Sequence, residues 1–190
     1  ANIPVFLIDR NVDQKLAKAG EDYVAFVGSD FVKEGRICGE VCAKVMNGNA
    51  KIIELQGTTG SSPAIDRGKG FAEAISSFPN MNIVASQSGD FARDKGRQVF
   101  ETLYQSHPEA DLVYSHNDEM TMGAIAALEA AGKVPGKDVM LASIDGTADA
   151  AKAVMAGKVI VCVECSPKFG PKAFELIKKL ANGEKIPINV

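Results

Sequence analysis

Tryptophan is absent from this 190-residue chain and histidine occurs only twice, so no indole reports ligand binding and little imidazole is available for proton transfer. No evident triad motif supplies His116 with a serine or cysteine nucleophile, and His107 precedes Pro108 in a loop, which argues against a catalytic histidine. No apolar run approaches the roughly 20 residues of a membrane-spanning helix. The opening ANIPVF also lacks the basic, apolar and small-residue order of a signal peptide. Charge of one sign is scarce in any one place: the net charge is -3, and no basic block exceeds Lys178-Lys179. That pattern excludes the electrostatic footprint of a nucleic-acid or acidic-membrane binder and leaves small neutral ligands. Low-complexity segments and fixed-period repeats are missing as well. The segment QGTTGSSPAIDRGKGF follows a strand pattern and opens a helix. Lacking the Lys-Ser/Thr ending of a P-loop and the G-x-G-x-x-G order of a dinucleotide site, it reads as a glycine turn rather than a nucleotide cradle.

What is present is an alternation of short apolar runs with helical patterns, with 46% hydrophobic residues to build a core. Strands are expected at 3–8, 23–27, 51–55, 82–86, 112–114, 139–143 and 160–163, most of them apolar on both faces. Helices are expected at 31–46, 63–77, 92–106, 118–131, 148–156 and 171–180. Asp30 and Asp118 suit helix N-caps, Pro63 suits a first helical turn, and Gly132 and Gly157 suit helix stops. This is an α/β pattern: a Rossmann-like, flavodoxin-like parallel sheet with helices on both faces. Crossings near 27–30 and 164–170 divide the chain into a partial lobe (1–28), a complete lobe (29–163) and a returning segment (164–190). The partial lobe is incomplete by pattern, and an apolar strand at the very start is unusual for a terminus.

Polar groups recur where strands end or the following helices begin, which is where open α/β sheets bind ligands. Asp9-Arg10 closes the first run, where a carboxylate accepting from one hydroxyl beside a guanidinium donating to its neighbour suits a polyol. Arg67 lies one turn into its helix and either reaches a ligand with two parallel bonds or forms a surface ion pair with Asp66 or Glu73. Phe91, in SGDFARDKG, either stacks on the C–H face of a sugar ring or packs the next helix. Asn117 offers both donors and acceptors to hydroxyls, or caps a turn. Asp90, Asp145 in LASIDG and Glu164 complete the set, although Asp-Gly after a strand is also a plain turn signal. The set suits hydrogen bonding to a neutral sugar better than catalysis.

Cys38 and Cys42 are spaced to share one helical face with Val45 and read as small core residues. Cys162 and Cys165, in an extended run, face opposite sides. A zinc site would need two rigid knuckles, which a helical pair and an extended pair do not supply. A disulfide between the two pairs stays open.

At these residues the chain resembles the ribose-type periplasmic sugar-binding proteins of ABC transporters. IPVFLIDR, VGSDF, IIELQGTTGSSPAIDRGKGF, SHNDEMTMGAIAALEAAG and the SIDG turn carry the resemblance. The form ELQGTTGSSPAIDR, with SGDF and VECSP, is similar to the galactofuranose-binding branch. The resemblance implies a periplasmic binding protein fold of two Rossmann-like lobes that close on a monosaccharide, with closure read by a membrane permease. It also implies export to the periplasm through a signal peptide absent from this chain, no cofactor, no metal and no enzymatic activity. Asp9, Arg10, Arg67, Phe91, Asn117 and Asp145 match family positions that bind the sugar. Asp90 stands where the galactofuranose branch commonly has glutamate, and Cys165, beside Glu164, stands where ribose binders have glutamine. The family's first three βα units precede IPVFLIDR and are not in this chain, so weak or no sugar binding is expected of it in isolation. The sugar-sensing domains of LacI-type repressors share these lobes and are the rival expectation.

Overall fold

Strand residues with apolar side chains on both faces require cover on both faces, and the chain meets that requirement with helices on either side of a parallel sheet. The computed structural model describes residues 3–190. Its elements run β1 (Phe6–Ile8), β2 (Ala25–Val27), α1 (Phe31–Val45), β3 (Asn49–Gln56), α2 (Ser62–Ile75), β4 (Asn80–Ser88), α3 (Arg93–Ser106), β5 (Leu112–Ser115), α4 (Asp118–Ala130), β6 (Met140–Asp145), α5 (Ala148–Met155), β7 (Val161–Glu164) and α6 (Gly170–Ala181). They group into two units. One holds the described residues up to Asp30 together with Ser166–Val190, and the other holds Phe31–Cys165.

In the first unit β1 and β2 pair in parallel, Phe6 with Ala25 through Ile8 with Val27. Val27, Ala173 and Leu176 are buried there against Phe6, Phe169, Ile186 and Val190. The strand expected at 3–8 forms only at its end. Pro4 has no N–H to give a ladder, although the Val5 carbonyl still accepts from Val24 N–H at 2.8 Å.

The second unit carries a five-stranded parallel sheet in the order β4-β3-β5-β6-β7. Counted from its own first strand this is the doubly wound order 2-1-3-4-5, whose strand order reverses between β3 and β5. Side chains alternate across it. Ile52, Leu112, Tyr114, Ala142 and Ile144 pack on one face with Cys38, Cys42, Phe71 and Ile75 of α1 and α2. Ile53, Leu55, Val113 and Leu141 pack on the other with Phe100, Met120, Leu128 and Ala153 of α3, α4 and α5. Burying a side chain such as Leu55 or Leu141 contributes about 1.5–3 kcal/mol.

The α1–α2 contact fixes the site. A Cβ at Gly35 would lie 2.1 Å from the Arg67 carbonyl oxygen, and one at Gly70 would lie 1.9 Å from that of Val32, so the two helices touch backbone to backbone. Only glycine permits that approach.

The expected helices form, each end within two residues of its expected place. Pro63 sits in the first turn of α2. Gly132 and Gly157 follow the last turns of α4 and α5 with φ of 70° and 72°, and Lys133 N–H returns to the Leu128 carbonyl at 2.9 Å, as a left-handed stop requires. Two expectations are corrected. Asn117, not Asp118, caps α4, accepting from Met120 N–H at 3.0 Å. Val45 keeps the helical phase of Cys38 and Cys42 but, as the last residue of α1, is 45% exposed while they are fully buried, so it does not join them in the core. All four cysteines are free thiols.

Candidate functional site

The α1–α2 contact turns Arg67 inward, and its guanidinium reaches the C-terminal ends of the strands at the β3–β5 switch point. Nε donates to Glu34 Oε2 at 2.8 Å, Nη1 to the His116 carbonyl at 2.6 Å and Nη2 to Asp145 Oδ1 at 3.3 Å. Its Cζ stands 5.4 Å from the Phe31 ring centroid and 5.9 Å from that of Phe91, within cation–π range of both. Only 4% of the residue is exposed, so the expected surface ion pair with Asp66 or Glu73 is not its role. Burial opposes the charge, but Glu34 and Asp145 outweigh it and hold the guanidinium more basic than usual. Three of its five N–H groups are used in these bonds, leaving two directions for a ligand.

Beneath Arg67 lies a second buried charge system. Gly57 N–H approaches His116 Nδ1 at 3.4 Å, which places the ring proton on Nε2, 3.0 Å from Glu54 Oε1. Burial pushes the Glu54 carboxyl up, but donors from His116, Ser86 and Gln56 outweigh it and hold it below the usual range. Tyr114 stacks on Phe71 with centroids 3.8 Å apart and donates to the Arg67 carbonyl at 3.0 Å. His116 therefore supports the floor of the site.

Asp145 ends β6 with a φ of 132°. Burial comes first among the causes that raise its carboxyl to about 6; Arg67 opposes it, while Asp118 and Glu34 add to it. Phe91 lies across Gly57, where a Cβ would come within 1.9 Å of its ring, and it also packs on the α3–α4 side of the core. Asn117 donates from Nδ2 to the Phe91 carbonyl at 3.1 Å while its Oδ1 caps α4, leaving one amide hydrogen. Arg67, Phe91, Asn117 and Asp145 are thus brought together.

Asp90 adjoins Phe91 in the chain, and Glu164 adjoins Asp145 across β6 and β7. Asp90 turns its carboxylate to Lys95 and Ser88, and these bonds hold its carboxyl below the usual range. Glu164 is exposed at the end of β7, in register with Asp145. Asp9 and Arg10 pair with each other at the end of β1 in the first unit, Asp9 with a φ of 64°.

Glu34, Phe31 and Asp118 complete the cluster without any local signal in the sequence. Glu34 reads as an ordinary acidic residue of a first helical turn, yet only 4% of it is exposed. Cys165 is half-buried beside it, and burial, then the Glu34 charge and a bond to it, push that thiol up to about 12.

A family model described as a periplasmic binding protein domain matches residues 1–185. The chain is 44% identical over 191 residues to the galactofuranose-binding protein YtfQ of Escherichia coli K12, covering 98% of this chain and 59% of that protein. It is 42% identical over 187 residues to the ribose import binding protein RbsB of the same strain, covering 98% and 60%. A crystal structure from Mycobacterium smegmatis in complex with β-D-fucofuranose matches with a TM-score of 0.92 at 46% identity, covering 98% of this chain and 62% of that one. The chain thus spans about three-fifths of the length of these relatives. With its doubly wound parallel sheet and this match along nearly its whole length, the chain belongs to the periplasmic binding protein family.

Proposed function

We propose that the chain is the ligand-recognising part of the solute-binding component of an ABC-type sugar importer, and that the cluster at the β3–β5 switch point takes a monosaccharide in its furanose form. The observation that carries this reading is the fixed guanidinium of Arg67, held by Glu34 and Asp145 and flanked by Phe31 and Phe91. Its two remaining N–H groups donate to a ring oxygen or to adjacent hydroxyls, the Asp145 carboxylate accepts from a hydroxyl, and the Asn117 amide hydrogen donates to another. Phe91 offers an apolar face to the C–H side of the ring. No bond is made or broken. Specificity comes from polar groups that a wrong epimer leaves unpaired in a site shielded from water.

The names of two relatives, one binding galactofuranose and one holding fucofuranose, support a five-membered ring over a six-membered one. Asp9, Arg10, Asp90 and Glu164 are proposed as further ligands on the family resemblance, with Asp90 having first to leave Lys95. Location in the periplasm and delivery to a membrane permease follow from the same reading.

The test is calorimetric titration of a form extended to its relatives' length with D-fucose, D-galactose, L-arabinose and D-ribose. Saturable heat with at least one of them is expected. Silence with all four, from a folded protein, overturns the reading.

A further inference from the structure

Asp145 carries a backbone conformation that side chains other than glycine rarely adopt, with φ of 132°. Holding a residue there costs on the order of 1–3 kcal/mol and persists only when surrounding groups enforce it. The enforcing group is visible. Asp118, fully buried at the start of α4, accepts from Gly146 N–H at 2.9 Å and Thr147 N–H at 2.7 Å with one carboxylate oxygen. The other oxygen accepts from Ser143 Oγ, and from Cys162 Sγ at 3.1 Å. Thr121 Oγ1 donates in turn to Ser143 Oγ at 2.9 Å. Every oxygen of this buried charge is spent on β6, β7 and the turn after Asp145.

From this geometry we propose that Asp118 is the positioning residue of the ligand site: by gripping the two amides that follow Asp145, it holds the strained turn that aims the Asp145 carboxylate at Arg67. The inference rests on the sugar-site reading above for its purpose but not for its geometry. Asp118 sits behind the turn, with both carboxylate oxygens engaged by protein donors. A flexible carboxylate would have to be ordered when sugar arrives; a turn clamped in advance avoids that loss. The groups facing Asp145 are Arg67 from α2, Glu34 from α1, Asp118 from α4, Cys162 from β7 and Cys165 just after it. Cys165 N–H donates to the Asp145 carbonyl at 3.0 Å and the Cys162 thiol meets Gly146 N–H, while the Asp118 carboxylate takes both amides that follow Asp145.

The experiment compares the wild-type chain with Asp118→Ala and Asp118→Asn by NMR, reading the three-bond amide-to-α-proton coupling of Asp145 and the amide shifts of Gly146 and Thr147. It is joined to sugar titration of the same variants in the extended form. Asp118→Ala is expected to move the Asp145 coupling toward extended-strand values and to weaken sugar binding about tenfold or more. Asp118→Asn keeps a neutral acceptor, and its weaker bonds place it between the two; it decides the matter if the alanine variant does not fold. An unchanged Asp145 coupling in the folded variants overturns the clamp. A changed coupling with unchanged sugar affinity overturns its role in binding. If no sugar binds even the wild type, the site reading fails while the coupling still judges the clamp.

Discussion

Arg67 Nη2 reaches Asp145 Oδ1 at 3.3 Å, a longer bond than the 2.8 Å one that the same guanidinium gives Glu34. The side chain of Glu34 is 5% exposed and that of Asp145 is 31% exposed. One carboxylate therefore anchors the arginine from inside, while the other borders solvent and is able to exchange part of its bonding for a ligand hydroxyl. An anchored donor beside an accessible acceptor suits reversible capture of a neutral polyol.

Asp145 carries a cost as a buried carboxylate. Its carboxyl, raised from 3.8 to about 6 chiefly by burial, binds a proton more tightly folded than unfolded. The stability this contributes is fully present below pH 3.8 and is lost as pH rises through about 6. Asp145→Asn is therefore expected to be more stable than wild type at pH 7.5, by about 1–3 kcal/mol, with the gain gone by about pH 4. Urea unfolding at a series of pH values measures this, and a less stable Asn variant at pH 7.5 contradicts it.

Removing Arg67 acts in the opposite direction. Arg67→Ala leaves Glu34 buried without its main partner and the His116 carbonyl without its donor. Stability is expected to fall by about 3–5 kcal/mol. Arg67→Ala combined with Glu34→Gln should recover part of that loss, since the buried charge is then gone. Thermal unfolding of the single and double variants reads the difference, and equal stability of the two contradicts a buried Glu34 charge.

Much of this arrangement was legible in the chain. Apolar runs on both faces announce a doubly covered sheet, and Pro63, Gly132 and Gly157 mark helix ends by backbone chemistry alone. Arg67, Phe91, Asn117 and Asp145 stand where strands of such a sheet deliver side chains. Other features are non-local. Asn117 and Asp118 are both good capping residues, and nothing local tells which one caps and which turns inward to β6. Glu34 is buried because Gly35 and Gly70 let α1 and α2 touch, a fact about two helices 35 residues apart in sequence. Asp90 is positioned for a site by sequence, yet Lys95 within the next helix captures it.

The thiols provide a separate check. Burial pushes Cys38 well up and Cys42, Cys162 and Cys165 to about 12, so each is a protonated thiol near neutrality. Cys38 and Cys42 are expected to stay unreactive toward a disulfide reagent at pH 8 for minutes in the folded chain, with Cys162 and Cys165 slower than free cysteine, and all four equivalents are released once the chain is denatured. Rapid reaction of Cys38 or Cys42 in the folded chain contradicts their burial.

Sugar binding at the Arg67–Asp145 cluster is tested by an amide and guanidinium NMR titration of the extended form with D-fucose. The largest shifts are expected at Arg67 Nε–H, Asn117 and the turn from Asp145 to Thr147, with those at Asn117 and the turn lost in Arg67→Ala. Saturable shifts that leave those groups untouched and gather elsewhere contradict binding at the cluster.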